Sequence, residues 1–143
     1  MRIFAFIAVV LALACDSGSP SSSPGADSAG AAGAPAAVAE IAQQTLIDQA
    51  AGTSFILDVR TPEEYAEGHV PGAINVPHDQ IESRLAELEA HKGDAVVVYC
   101  KSGRRAGMAA EVLAKAGFTN LQHLTGDMQA WSAAGLPVEK PGS

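Results

Sequence analysis

The feature that most constrains this chain is a short apolar run that ends on a thiol. Ala95-Val96-Val97-Val98-Tyr99 is apolar and β-branched over strand length, and at Cys100 it gives way to Lys101-Ser102-Gly103-Arg104-Arg105. The segment that follows, Ala106 to Leu113, is rich in alanine and carries Met108, Val112 and Leu113 at helical spacing. A strand without alternating polar residues is covered on both faces. The pattern therefore predicts a buried strand, a tight turn at Cys100 and a helix.

A strand-to-helix turn aims successive backbone N–H groups at one point, and the first turn of the helix adds partial positive charge, so the turn can hold an anion. Cys100 lies at the rim of that turn, with Lys101, Arg104 and Arg105 beside it. This field favours thiolate over thiol and makes Cys100 the candidate nucleophile. Gly103 lets the backbone turn without a Cβ in the way. The alternative is an inert cysteine closing a core strand, a common place for a free thiol. Three cations within five residues of the sulfur count against it, because burying them beside an inert thiol is costly.

Three further stretches accompany the loop: Leu57-Asp58-Val59-Arg60-Thr61-Pro62-Glu63-Glu64-Tyr65, Gly68-His69-Val70-Pro71-Gly72-Ala73-Ile74-Asn75-Val76-Pro77, and Leu124-Thr125-Gly126 leading to Trp131. Cys100 to Arg105 resembles the active-site loop of rhodanese-like sulfurtransferases, and the flanking stretches agree with it in order, over residues 38–140. The resemblance implies a two-step transfer. The Cys100 thiolate attacks the outer sulfur of thiosulfate or a similar donor, sulfite leaves, and the persulfide passes its sulfur to cyanide or a thiol. Amides from Lys101 through Ser102, Gly103 and Arg104 to Arg105 would cradle the persulfide, while the cationic side chains hold the oxyanion of the donor. The family needs no metal or organic cofactor. Its basic loop looks more like that of thiosulfate users than of mercaptopyruvate users. One departure stands out: Asp127 occupies the place where a second glycine often follows Gly126, and its carboxylate either weakens anion binding or caps the last helix.

Two rivals share parts of this site. Cysteine-dependent phosphatases and arsenate reductases separate cysteine and arginine by five residues; here Cys100 and Arg105 are separated by four, a loop better sized to one sulfur atom than to a tetrahedral phosphate. A sulfur or redox carrier would use an exposed Cys100 without turnover.

Strands and helices alternate along the chain. Strands are expected at Val38 to Ile41, Phe55 to Val59, Ala73 to Val76, Ala95 to Tyr99 and Asn120 to Leu124, with helices over Gln43 to Ala50, after Thr61-Pro62, over Ile81 to Ala90, after Arg105 and over Asp127 to Ala134. That order predicts an α/β fold with a parallel sheet of about five strands covered by helices on both faces, as in rhodanese-like domains. Ligands of such sheets gather at the carboxyl ends of the strands, where Arg60 and Cys100 fall. Arg60 either positions an anionic substrate or pairs with Asp58 or Glu64. Tyr65, Tyr99, Phe118 and Trp131 are expected in the core. His69, His78, His91 and His123 are scattered, none at metal-ligand spacing, and are expected in loops or on the surface.

The N-terminal part has another character. Met1-Arg2 and the apolar run Ile3 to Ala14 suit a signal peptide over 1–14, being shorter than the about 20 residues that span a bilayer. Cys15 after Ala14 resembles the lipidation site of a bacterial lipoprotein, although Ala12 and Leu13 depart from the usual pattern; an ordinary secretory signal is the alternative. Both predict an exported protein, periplasmic or in the cell envelope. Residues 15–37 are rich in Ser, Gly, Pro and Ala and read as a flexible tether, followed by one domain over 38–140. With Cys15 lipidated, Cys100 has no disulfide partner. The chain is acidic, 16 Asp and Glu against nine Lys and Arg, which speaks against nucleic acid or anionic lipid as a partner and leaves membrane contact to the N-terminal lipid. The expected partners are a small sulfur-donor anion and a thiol or cyanide acceptor, acting on a monomer.

Overall fold

The computed structural model describes residues 38–49 and 52–142. The expected signal peptide, the lipidated Cys15 and the tether lie outside these residues.

Five strands form one sheet, every pair parallel: β1 (Ala39–Ile41), β2 (Ser54–Asp58), β3 (Ile74–Asn75), β4 (Ala95–Tyr99) and β5 (Leu121–Leu124), in the order β1-β5-β4-β2-β3. Parallel neighbours need crossover connections, and these carry α1 (Gln43–Asp48), α2 (Pro62–Glu67), α3 (Leu85–Leu88) and α4 (Arg104–Lys115), with α5 (Asp127–Ala133) after the last strand. β4 is the middle strand, paired with β2 along its whole length and with β5 over Val96 to Val98. Its side chains alternate between two cores. Val96, Val98 and Cys100 meet Ala109, Leu113, Phe118, Ile81 and Leu88 on the α3–α4 side. Val97 and Tyr99 meet Leu46, Met128 and Trp131 on the α1–α5 side. The sheet is thus apolar on both faces, as the Val run requires.

Local chemistry sets the element ends. Thr61 caps α2: its hydroxyl accepts from the Glu64 N–H at 3.3 Å, its own N–H donates to the Glu64 carboxylate at 3.4 Å, and Pro62 takes the first helical position. The helix expected over Ile81 to Ala90 is instead a series of turns leading into the four residues of α3 and a 3-10 turn, Glu89–His91. There the Ser83 hydroxyl bonds the Gln80 carbonyl at 2.9 Å, competing with a helical ladder, and the turns still bury Ile81 and Leu88. The tail after α5 returns to the domain. Its Glu139 exchanges two backbone hydrogen bonds of 2.9 Å with His69, and Trp131 Nε1 donates to the Pro137 carbonyl at 2.9 Å.

Connections leave the sheet in opposite directions around β4, toward β3 on one side and toward β5 on the other. Such a reversal opens a crevice outside the carboxyl ends of β2 and β4. Val59-Arg60 and Cys100-Lys101 emerge there.

Candidate active site

Cys100 follows the last residue of β4 and keeps its alternation, so it faces the α4 layer. The residue is 1% exposed, which makes the sulfur the floor of the turn rather than its rim. The chain then folds over it. Gly103, at φ +92°, turns back so that its N–H donates to Cys100 Sγ at 3.1 Å. A Cβ on Gly103 would stand 3.0 Å from Asp127 Oδ2 and 3.3 Å from His123 Cε1, so glycine is required by both conformation and space. α4 starts at the next residue with no side chain capping it. The first-turn N–H groups of Arg104, Arg105 and Ala106 have no intrahelical partner, and they sit at the positive end of a 12-residue helix. Together with the Gly103 N–H they form a seat for negative charge next to the sulfur.

α5 holds the other side of the loop. Met128 N–H donates to the Cys100 carbonyl and Gln129 N–H to the Lys101 carbonyl, each at 3.1 Å. Because a trans peptide sets C=O and the next N–H antiparallel, the Lys101 and Ser102 N–H groups point away from α5. The Cys100 N–H itself donates to Asp127 Oδ1 at 2.7 Å. Asp127 therefore neither caps α5 with its side chain nor stands in the anion seat; it is 2% exposed and anchors the backbone of the cysteine. Its other oxygen meets His123 Nε2 at 3.0 Å, and His123 Nδ1 faces Glu40 Oε1 at 3.2 Å. His123 is thus no loose surface histidine. The Asp127 carboxylate, and Glu40 after it, raise its pKa to about 9, against the cost of partial burial.

The expected site residues divide. Lys101, Ser102 and Arg104 are exposed around the loop. Arg105 makes a two-pronged ion pair with Glu64 of α2 at 2.6 and 3.1 Å, which raises its pKa and lowers that of Glu64, and its guanidinium is also within electrostatic reach of the Cys100 sulfur. Arg60 takes the second of its two expected roles. It is 5% exposed, grips Asp58 through Nε and Nη2 at 2.6 to 3.0 Å, and donates to the Gly68 carbonyl at 2.9 Å. Tyr99 completes that network from the core: its hydroxyl donates to Asp58 at 2.7 Å and accepts from the Val70 N–H at 3.1 Å, and burial together with Asp58 holds the phenol well above its ordinary pKa. His69 also departs from expectation, being buried and stacked on Tyr65 at 3.7 Å.

Glu64 is expected only as an alternative partner of Arg60, Tyr99 only as a core side chain and His123 only as a loop or surface histidine; the sequence does not disclose their pairing with Arg105, Asp58 and Asp127. A weak signal existed for His123, which lies four residues before Asp127 across a strand-to-helix turn. Among the described residues no group of three or more His, Cys, Asp or Glu side chains is placed to hold a metal ion. Nor, among them, is any helix long and apolar enough to cross a membrane.

Comparison with known proteins gives a consistent result. The profile of the Rhodanese-like domain family matches residues 38–134. The chain is 43% identical over 70 residues to thiosulfate sulfurtransferase PspE of Escherichia coli K12, covering 49% of this chain and 67% of that protein. It is 37% identical over 106 residues to a sulfurtransferase of Allochromatium vinosum, covering 73% of this chain and 97% of the relative. Among solved structures, a rhodanese-related protein of Thermoplasma volcanium superimposes with a TM-score of 0.63 at 29% identity, over 71% of this chain and 97% of that one.

Proposed function

Since the chain belongs to the rhodanese-like domain family, we propose that it is a thiosulfate sulfurtransferase working through a persulfide on Cys100. The Cys100 thiolate forms a bond to the outer sulfur of thiosulfate, the sulfur–sulfur bond of the donor breaks, and sulfite leaves with the electron pair. Cyanide or a thiolate then bonds the terminal sulfur and releases the Cys100 thiolate. No net oxidation occurs, and no further reactant is required.

The observation that carries this reading is the Gly103 N–H on Cys100 Sγ at 3.1 Å, beside the uncapped start of α4. Those amides stabilise the thiolate before reaction and the terminal persulfide sulfur after it, since donors fixed in advance need no reorganisation when the charge moves. Lys101 and Arg104, exposed around the loop and in no ion pair with a carboxylate among the described residues, receive the oxyanion of the donor and of departing sulfite. Arg105, committed to Glu64, sets the loop rather than clamping the donor. A sulfur buried to this degree favours a single incoming sulfur atom over a bulky protein disulfide. The basic start, the apolar run and Cys15 support export and lipid anchoring as part of the same proposal.

The full chain, freshly reduced and supplied with thiosulfate and cyanide, is expected to form thiocyanate over many turnovers, and Cys100→Ser to form none. One equivalent at most would identify a carrier. No thiocyanate together with Cys100-dependent cleavage of a phosphate ester would identify a phosphatase. Either result removes the proposal.

A further inference from the structure

One polar cluster lies beneath the loop, and persulfide chemistry at Cys100 does not by itself require it. Asp127 takes the Cys100 N–H, pairs with His123 Nε2, and presses Oδ2 toward Gly103. It does so at φ +52°, in the left-handed region, and among the described residues no other non-glycine side chain adopts a positive φ. Glycine would occupy that backbone more easily. A strained residue at a functional site persists only where its surroundings over-determine it. Here the gain is the carboxylate, only 2% exposed and satisfied on both oxygens.

We propose that Asp127 and His123 form a positioning dyad, in which the imidazolium holds the carboxylate that fixes the Cys100 peptide and offsets that carboxylate's charge beneath the loop that receives an anionic sulfur donor. The proposal rests on the sulfurtransferase reading and names the regulation of that site. Three hydrogen bonds from α5 fix the loop: two from the backbone N–H groups of Met128 and Gln129, and one through the Asp127 side chain. Only the third carries charge. A bare carboxylate there would repel thiosulfate and the persulfide alike, and the His123 proton removes that repulsion. Among the described residues the groups facing His123 are Asp127 on α5, Glu40 on β1 and the Gly103 backbone of the loop, so both charged neighbours favour the imidazolium. With its pKa raised to about 9 by these carboxylates, His123 stays protonated through neutral pH and loses its proton only in alkaline solution.

The test is the pH dependence of sulfur loading of the full chain by thiosulfate, followed by intact mass, together with the NMR shift of the Cys100 amide. In wild type the loading rate is expected to fall several-fold across a titration near pH 9, with the Cys100 amide moving at the same midpoint. His123→Gln, whose side-chain amide still donates to Asp127 but does not titrate, is expected to load a few-fold more slowly at neutral pH and to lose both the alkaline fall and the amide titration. Asp127→Asn, which keeps the shape without the charge, is expected to move the His123 titration down toward the ordinary value of about 6.5. An unchanged alkaline fall in His123→Gln, or a Cys100 amide blind to pH near 9, would overturn the dyad. A wild type that takes up no sulfur at any pH would instead remove the sulfurtransferase reading, and the amide titration alone would then decide for or against the dyad.

Discussion

At Arg60 a single side chain decides between binding and architecture. Its guanidinium is held by both Asp58 oxygens and by the Gly68 carbonyl, and Asp58 is fully buried and also accepts from Tyr99. Removing one member of a buried ion pair strands the other without solvation, at a cost of about 3–5 kcal/mol. Arg60→Ala is therefore expected to lower the unfolding free energy obtained from urea titration by an amount of that order, whether or not a donor is present. Near-native stability with a raised KM for thiosulfate would return Arg60 to the substrate. Both partners were visible in Asp58-Val59-Arg60, but their choice was not. Asp58 and Glu64 are both close in sequence, and the selection follows from Glu64 being turned by its capping box toward Arg105 of α4.

At the scale of elements, the site is a clamp between two helix starts. The uncapped start of α4 lies beside the sulfur, on which the preceding Gly103 N–H sits, while α5 spends its first-turn amides and Asp127 on the loop backbone. The link from β5 through His123 to Asp127 and Glu40 ties α5 to the sheet edge, and its strength follows pH. His123 has a folded pKa raised above its unfolded value, so its contribution is complete below the unfolded value of about 6.5 and is lost as pH rises through about 9. The loss is on the order of 2 kcal/mol, and unfolding free energies measured from neutral to alkaline pH are expected to show it in wild type and not in His123→Gln. An equal decline in both proteins would contradict the pairing. The elements themselves were largely readable. The Val96 to Tyr99 run, the Thr61-Pro62 start and the Gly126 turn each carry local chemistry that tertiary packing did not override. Ile81 to Ala90 departs from the expected helix because its apolar spacing suits a helix and a buried turn equally well, and the Ser83 hydroxyl favours the turn. His123 and Asp127 meet only because β5 runs into α5 at the left-handed Gly126-Asp127 corner, a geometry that spacing alone does not disclose.

The molecule as a whole is acidic, with a formal net charge of −7, yet the substrate proposed for it is an anion. Lys101 and Arg104 must then supply a local attraction against an unfavourable background. Replacing both by alanine is expected to raise the apparent KM for thiosulfate several-fold at low salt, with a smaller penalty as ionic strength rises and the Debye length falls below about 10 Å. A KM unmoved at low salt would place the donor elsewhere.

In the proposed reaction the Sγ atom of Cys100 carries the transferred sulfur. Intact mass of the reduced full chain after brief exposure to thiosulfate measures this, with Cys100→Ser beside it to separate Cys100 from Cys15. One added sulfur atom on wild type, absent from Cys100→Ser and removed by cyanide, is the predicted result. No added sulfur on wild type, or equal uptake by the two proteins, would contradict it.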